Sequence, residues 1–243
     1  MCQDVLELRR FYASPLGQAV ARLIARKVGE AWGDVAGLDV LGLGYPAPLL
    51  TQTGARRVVA AMPAAQGVEV WPPGGANASC LVLDGALPFP NALFDRVVAL
   101  HALEESDSPS ELMREVGRVL APTGRLIIAA TARHGFWADA ESTPFGHGRT
   151  FSRRQLETLI AEADLQPLGW TRALYVPPLQ RAHRWADVLE GLGARLAPPT
   201  AGVILMEAGK QTYAAIPHSV RERVRATPVF QPAAVRRGRG LAA

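Results

Sequence analysis

The chain has 243 residues, 49% of them hydrophobic and 20% charged, and its 26 basic and 22 acidic residues give a formal charge of +4. That length suits one large domain with a modest attachment, and the composition excludes wholesale disorder, a collagen-like repeat and a disulfide scaffold. The charge is uneven: residues 221–243 hold six arginines and one acid, leaving 20 basic against 21 acidic residues elsewhere, so the body offers no basic face to track a phosphate backbone.

Cys2 and Cys80 give neither a disulfide framework nor metal-ligand spacing, and no metal is expected. The start MCQDVLELRRFY carries charges where a signal peptide needs an apolar core, so a cytoplasmic location is expected. Uncharged apolar runs such as VVALHAL at 97–103 and AGVILM at 201–206 fall far short of the roughly 20 residues that span a bilayer. No membrane partner is expected, and nucleic acid is disfavoured by the near-neutral body.

In chain order, Ser14 followed by Pro15 reads as a helix cap with proline at the first helical position, and Leu16, Ala19, Val20, Leu23, Ile24 and Val28 recur at helical spacing to Trp32. Strands are then predicted at 38–43, 56–62, 79–83 and 95–101, a helix at 110–120, and a strand at 125–131 after the breaker APTG. Strands apolar on both faces, alternating with helical segments, predict a parallel sheet covered by helices. The stretch 132–152 is too rich in glycine and proline for a regular element; it is expected to be a functional loop. A helix at 152–163, a strand at 169–176, a helical stretch at 179–196 and a last strand near 202–213 complete the pattern. The divisions that follow are an N-terminal helical segment 1–34, one domain over 35–215, and a flexible Arg-rich tail 216–243.

Within 83–130, Asp84, LPFP at 87–90, Phe94 and Asp95, Leu103 and Glu104, and EVGRVLAPTGRL at 115–126 occur in an order that resembles the central half of the class I S-adenosylmethionine-dependent methyltransferases, methyltransferase type 11. The runs LGLGYPAP and TPFGHGRTFS are similar to a proteobacterial subgroup of that family. The resemblance implies an α/β fold with a Rossmann-like seven-stranded sheet, its last strand antiparallel, and the 15–32 helix attached. It also implies S-adenosylmethionine as cofactor, at Gly42, Gly44, Tyr45, Met62, Pro63, Asp84, Gly85, His101 and Leu103. Three positions depart from the family pattern, the first being Pro46 where a third glycine would end the loop. Val40 stands where an acid precedes the first glycine, and the second strand ends at Met62 and Pro63 with no acid before Glu69. The ribose would then bond backbone or an amide such as Gln66.

Methyl transfer from a sulfonium asks the protein mainly to position a nucleophile and exclude water. His101, His147 and Arg149 are the predicted catalytic residues, His147 and Arg149 because glycines bracket them in a loop expected to close as a lid. The competing view makes TPFGHGR a packed turn whose arginine pairs with Glu141. Phe136, Trp137 and Trp71 are expected to line an apolar pocket or the core. Three functions remain open: methyl transfer to a small-molecule acceptor, an inactive methyltransferase-fold protein that binds a protein partner, and an RNA- or ribosome-associated methyltransferase using the arginine tail.

Overall fold

The structure, a computed structural model, describes residues 3–50, 54–196 and 200–210, and the backbone of 231–232. Its strands are β1 Asp39–Gly44, β2 Arg57–Pro63, β3 Ser79–Val82, β4 Phe94–Leu100, β5 Leu120–Thr131, β6 Leu165–Ala173, β7 Val203–Lys210 and the two-residue β8 Gln231–Pro232. They form one sheet in the order β3-β2-β1-β4-β5-β7-β6-β8. The first five strands run parallel, while β7 is antiparallel to both β5 and β6. The reversal of the last long strand is therefore as predicted. The expected tail lies outside the described residues except for β8, which adds a short ladder to the β6 edge.

The helices are α1 Val5–Ala13, α2 Pro15–Trp32, α3 Pro109–Val119, α4 Arg153–Glu162 and α5 Ala186–Leu196. Ser14 caps α2 by accepting from Gly17 N, with Pro15 opening the helix as predicted. Ser152 and Gln155 cap α4 reciprocally. Helix α1 was not anticipated. Asp4 caps it, and Val5, Leu8, Phe11 and Tyr12 form its buried stripe, a helical spacing legible in the sequence.

Two apolar layers cover the sheet. Leu41, Leu43, Val97, Ala99, Ile128 and Ala130 face α3 and α4, while Val40, Val98, Leu100, Ile127 and Ala129 face α1 and α2. Strand alternation makes this division. The expected β–α alternation fails at its start: among the described residues no helix joins β1 to β2, β2 to β3 or β3 to β4. Helices α1 and α2, which precede the sheet in the chain, cover that face instead.

Other boundaries shift for local reasons. The predicted strand 169–176 begins earlier, at Leu165, and ends at Ala173, because Leu174 turns to a φ of 63° and the amides of Leu174 and Tyr175 are captured by the Glu190 carboxylate. The APTG breaker falls inside β5, where the β4–β5 register slips between Phe94 and Arg96. The helical stretch predicted at 179–196 is a 3-10 turn, Gln180–Trp185, running into α5. The strand predicted near 202–213 is described as Val203–Lys210, and its last three predicted residues lie outside the described residues.

Candidate active site

The C-terminal ends of β1, β2 and β4 converge where an open α/β sheet binds ligands. Helix α1 drives Tyr12 into that convergence. Its ring stacks on Tyr45 with centroids 5.6 Å apart, and its hydroxyl is hydrogen-bonded to His101 Nε2 at 2.8 Å. Phe145 closes the other side of His101, with ring centroids 4.7 Å apart. His101 is buried, and desolvation pushes its imidazole down to about 3, so it is neutral across physiological pH. It also holds a φ of 52°, a strained conformation for a residue with a side chain.

Gln66 ties this core to α1. Its Nε2 donates to the His101 carbonyl at 2.7 Å, and its own carbonyl accepts from Val5 N at 2.8 Å. Gln66 Oε1 is buried without a hydrogen-bond partner among the described residues. Packing requires both glycines here. A Cβ on Gly44 would strike the Leu100 carbonyl, and one on Gly42 would strike Pro46 and Leu50. Gly44 also needs its φ of 86°, which glycine supplies without strain.

The sequence-predicted cofactor residues thus divide. Tyr45, Met62, Pro63 and His101 are brought together, all buried. Leu103 packs on the opposite layer against α3 and α4. Asp84 accepts from Ser106 Oγ at 2.6 Å, which ties the β3 and β4 loops to one another, and the neighbouring Gly85 is exposed. The amide expected to serve the ribose, Gln66, is turned inward.

Beside the Tyr12–Tyr45 stack opens a cavity of about 500 Å³ lined by Arg9, Tyr12, Tyr45, Ala47, Glu69 and Pro73, among others. The Tyr45 hydroxyl donates to Glu69 Oε1 at 2.8 Å. Burial and this carboxylate raise the Tyr45 phenol well above its ordinary value. Glu69 is the first acid after β2 and lines this cavity.

The loop 132–152 is a packed structure rather than the expected lid. Trp137 and Phe145 are fully buried, and Trp137 Nε1 donates to the Val176 carbonyl at 2.7 Å. Only Phe136 of the expected cover is exposed, while Trp71 is core. Glu104 anchors the far end of the loop. Its Oε1 accepts from Thr131 N at 2.8 Å and Thr131 Oγ1 at 3.2 Å, and its carbonyl accepts from Arg149 N at 2.9 Å. Gly148, at φ 71°, passes so close to that carbonyl that a Cβ would collide. Burial lifts the Glu104 carboxyl to about 7.

His147 and Arg149 therefore lie on a fixed support, apart from His101. His147 Nε2 is bonded to the Glu141 carbonyl at 2.7 Å, so it is the histidine rather than the arginine that reaches Glu141, through backbone. Arg149 lines a second cavity of about 630 Å³ with Arg133, Arg154, Ser110, Thr150 and Glu162, among others. Arg149 and Arg154 make no ion pair among the described residues; Glu162 accepts from Ser110 Oγ at 3.3 Å. Among the described residues no three His, Cys, Asp or Glu side chains group closely enough to hold a metal. Sequence reading missed Tyr12, Glu69, Arg133 and Arg154; Tyr12 comes to its site from a distant segment, while Arg133 and Arg154 flank the loop that carries Arg149.

A largely parallel sheet with an antiparallel last long strand and ligand-accessible space at its C-terminal edge defines a Rossmann-like protein. Within it, residues 38–128 match the sequence model of a methyltransferase domain. A SAM-dependent methyltransferase from Thermotoga maritima superposes with a TM-score of 0.59 at 15% identity, covering 85% of this chain and 96% of its own. The [4+2]-cyclase SpnF gives 0.54 at 20% identity, covering 80% and 82%. A putative methyltransferase bound to the Trm112 activator of Haloferax volcanii gives 0.55 at 15% identity, covering 86% and 100%. No curated protein sequence matches the chain. The fold is that of the SAM-dependent methyltransferases.

Proposed function

We propose that this chain transfers a methyl group from S-adenosylmethionine to a small-molecule acceptor that carries a carboxylate or phosphate. The observation carrying this reading is the convergence of a Tyr45–Glu69 pair and the unsatisfied Gln66 Oε1, from the stretch that matches the methyltransferase domain, with Arg9 of α1 around the C-terminal ends of β1 and β2. That donor set suits the cofactor. Glu69 would accept from ribose hydroxyls, Arg9 would pair with the amino-acid carboxylate, and the Tyr12 and Tyr45 rings would meet adenine. Gly42, Gly44, Met62 and Pro63 frame the site, and Asp84 and Gly85 would meet the adenine edge. Bound there, S-adenosylmethionine supplies an electrophilic methyl group on a sulfonium sulfur.

The remaining work falls to the chain's own side chains. Arg149, with Arg133 and Arg154, would hold the acceptor's anionic group, and their planar forks suit bidentate contact with its oxygens. His101 is a poor proton acceptor, since its Nε2 is engaged by Tyr12 and burial disfavours its cation. Glu104 is better poised, because a carboxyl at about 7 can take a proton near neutral pH. It also lies between the two sites, interacting electrostatically with Tyr12 and bonded through its carbonyl to Arg149 N. His147 would flank the acceptor from the same loop.

The Tyr12 wedge favours a second reading, a methyltransferase-fold subunit that binds a protein partner without turnover. Calorimetry with S-adenosylmethionine and S-adenosylhomocysteine separates the two. The proposal expects binding in the wild type, weakened by about 1 to 3 kcal/mol in Glu69→Ala, the usual range for losing a hydrogen bond to a buried polar group. Absence of binding in both the wild type and Tyr12→Ala would overturn it and leave the partner subunit.

A further inference from the structure

Helix α5 buries Ala186, Glu190 and Gly193. Glu190 accepts from the amides of Leu174 and Tyr175, and a Cβ on Gly193 would enter the Tyr175 ring, so the inward face is settled. The outward face is unusual. Trp185, Val188, Leu192 and Leu196 are 63, 63, 53 and 71% exposed, and Leu179 just before them is 63% exposed. Their spacing puts them along one stripe of the helix. Single exposed apolar residues are ordinary, but four large ones along one stripe, from Trp185 to Leu196, mark a surface that meets something apolar.

The rim of this stripe identifies its partner. Arg181, Arg184 and Arg195 are exposed beside it and make no ion pair among the described residues. The exposed acid of α5, Asp187, is held by Arg26 at 3.2 Å. Residues 221–243 add six arginines against one acid. An apolar helical stripe with tryptophan, a cationic border and a polybasic segment in the same chain combine the two contacts that hold a protein on an anionic bilayer. No helix among the described residues is long and apolar enough to cross a membrane, so the contact lies along the surface.

We propose that the exposed face of α5 docks on an anionic lipid bilayer, with Trp185, Val188, Leu192 and Leu196 in the interfacial layer and the flanking arginines against lipid phosphates. This inference is independent of the methyl-transfer reading, and its failure would leave that reading untouched.

Flotation of the full chain with phosphatidylcholine vesicles, pure or containing 30% phosphatidylglycerol (roughly the anionic fraction that gives a surface potential adequate to attract polybasic segments), tests it. At least tenfold tighter binding to the anionic vesicles is expected, weakening as salt rises. Trp71, Trp137 and Trp170 are buried and Trp32 is half-buried, so a blue shift and protection from quenching that disappear in Trp185→Ser would report Trp185. Val188→Asp with Leu192→Asp should abolish flotation without lowering the melting temperature, and Trp185→Ser should weaken it several-fold. Failure to float with anionic vesicles, or flotation unchanged in the double variant, would overturn the proposal. So would a wild-type dimer that the double variant dissociates and that ignores vesicles, since the face would then join two copies of this chain.

Discussion

The two halves of the sheet are built by different rules. Around β4 and β5, α3 lies in the chain between the strands it covers, and the face fills with Leu112, Met113, Val116 and Leu156 from α3 and α4. Around β1 and β2, no helix of the described chain follows either strand, and the cover comes from α1 and α2. The difference reaches the chemistry. The first half leaves arginines 133, 149 and 154 open to solvent, whereas the second inserts Tyr12 among Tyr45, His101 and Gln66 and desolvates them all. A sheet edge that stays open to solvent in one half has become partly core in the other.

The sharpest way to break this contrast is to empty the place where α1 meets the loop after β5. Phe145 is fully buried against Phe11, Trp137 and His101, and Phe145→Ala should destabilise by about 3 to 5 kcal/mol in chemical denaturation. A loss below about 1 kcal/mol would mean that the loop is mobile after all.

Glu104 gives the next largest effect, and it depends on pH. Its folded carboxyl titrates near 7 against an ordinary value of 4.5, so the folded state holds the proton more tightly than the unfolded state. Its contribution is fully present below about 4.5 and is lost as pH rises to about 7, a change of about 3 kcal/mol. Glu104→Gln keeps an acceptor for Thr131 and removes the charge. It should therefore stabilise the protein at pH 8 and leave it nearly unchanged at pH 4.5, as urea melts at the two pH values would show.

Tyr12→Phe sharpens the comparison from within the packed half. It removes the partner of a buried imidazole and should cost about 1 to 3 kcal/mol, with Tyr12→Ala costing more while opening the crevice to ligand. Tighter S-adenosylhomocysteine binding by Tyr12→Ala, measured by calorimetry, would show that the wedge competes with the cofactor. In the open half the expected stability effect is smallest. Arg149→Ala should shift unfolding by less than about 0.5 kcal/mol yet raise KM for an anionic acceptor, and equal KM would remove the arginines from the acceptor site.

Much of the regular half was legible in the residues themselves. The run from Leu83 to Ala130 carries its strand, helix and strand in local periodicity, and Ser152 with Gln155 announces the cap of α4. The α1 stripe was equally visible at Val5, Leu8, Phe11 and Tyr12, but nothing local to it says that it enters the sheet edge. Asp39, next to Val40 at the family's acidic position, shows what the tertiary structure adds. It opens β1 at the N-terminal end of that strand, away from the crevice, paired with Arg56, with Asp95 accepting from its amide.

What the sequence determined by itself is therefore the set of elements whose cause is short-range: cap, period, breaker and the apolar faces they create. Only the tertiary structure decided which of the polar residues are desolvated. Glu104 and Glu105 are adjacent in sequence, yet Glu104 faces Thr131 and carries a raised carboxyl because β4 and β5 are hydrogen-bonded side by side. His101 becomes neutral and Gln66 inward for a similar reason, since Tyr12 and Val5 arrive from far along the chain. Burial and charge depend on neighbours across the fold, and those neighbours are chosen by packing rather than by spacing.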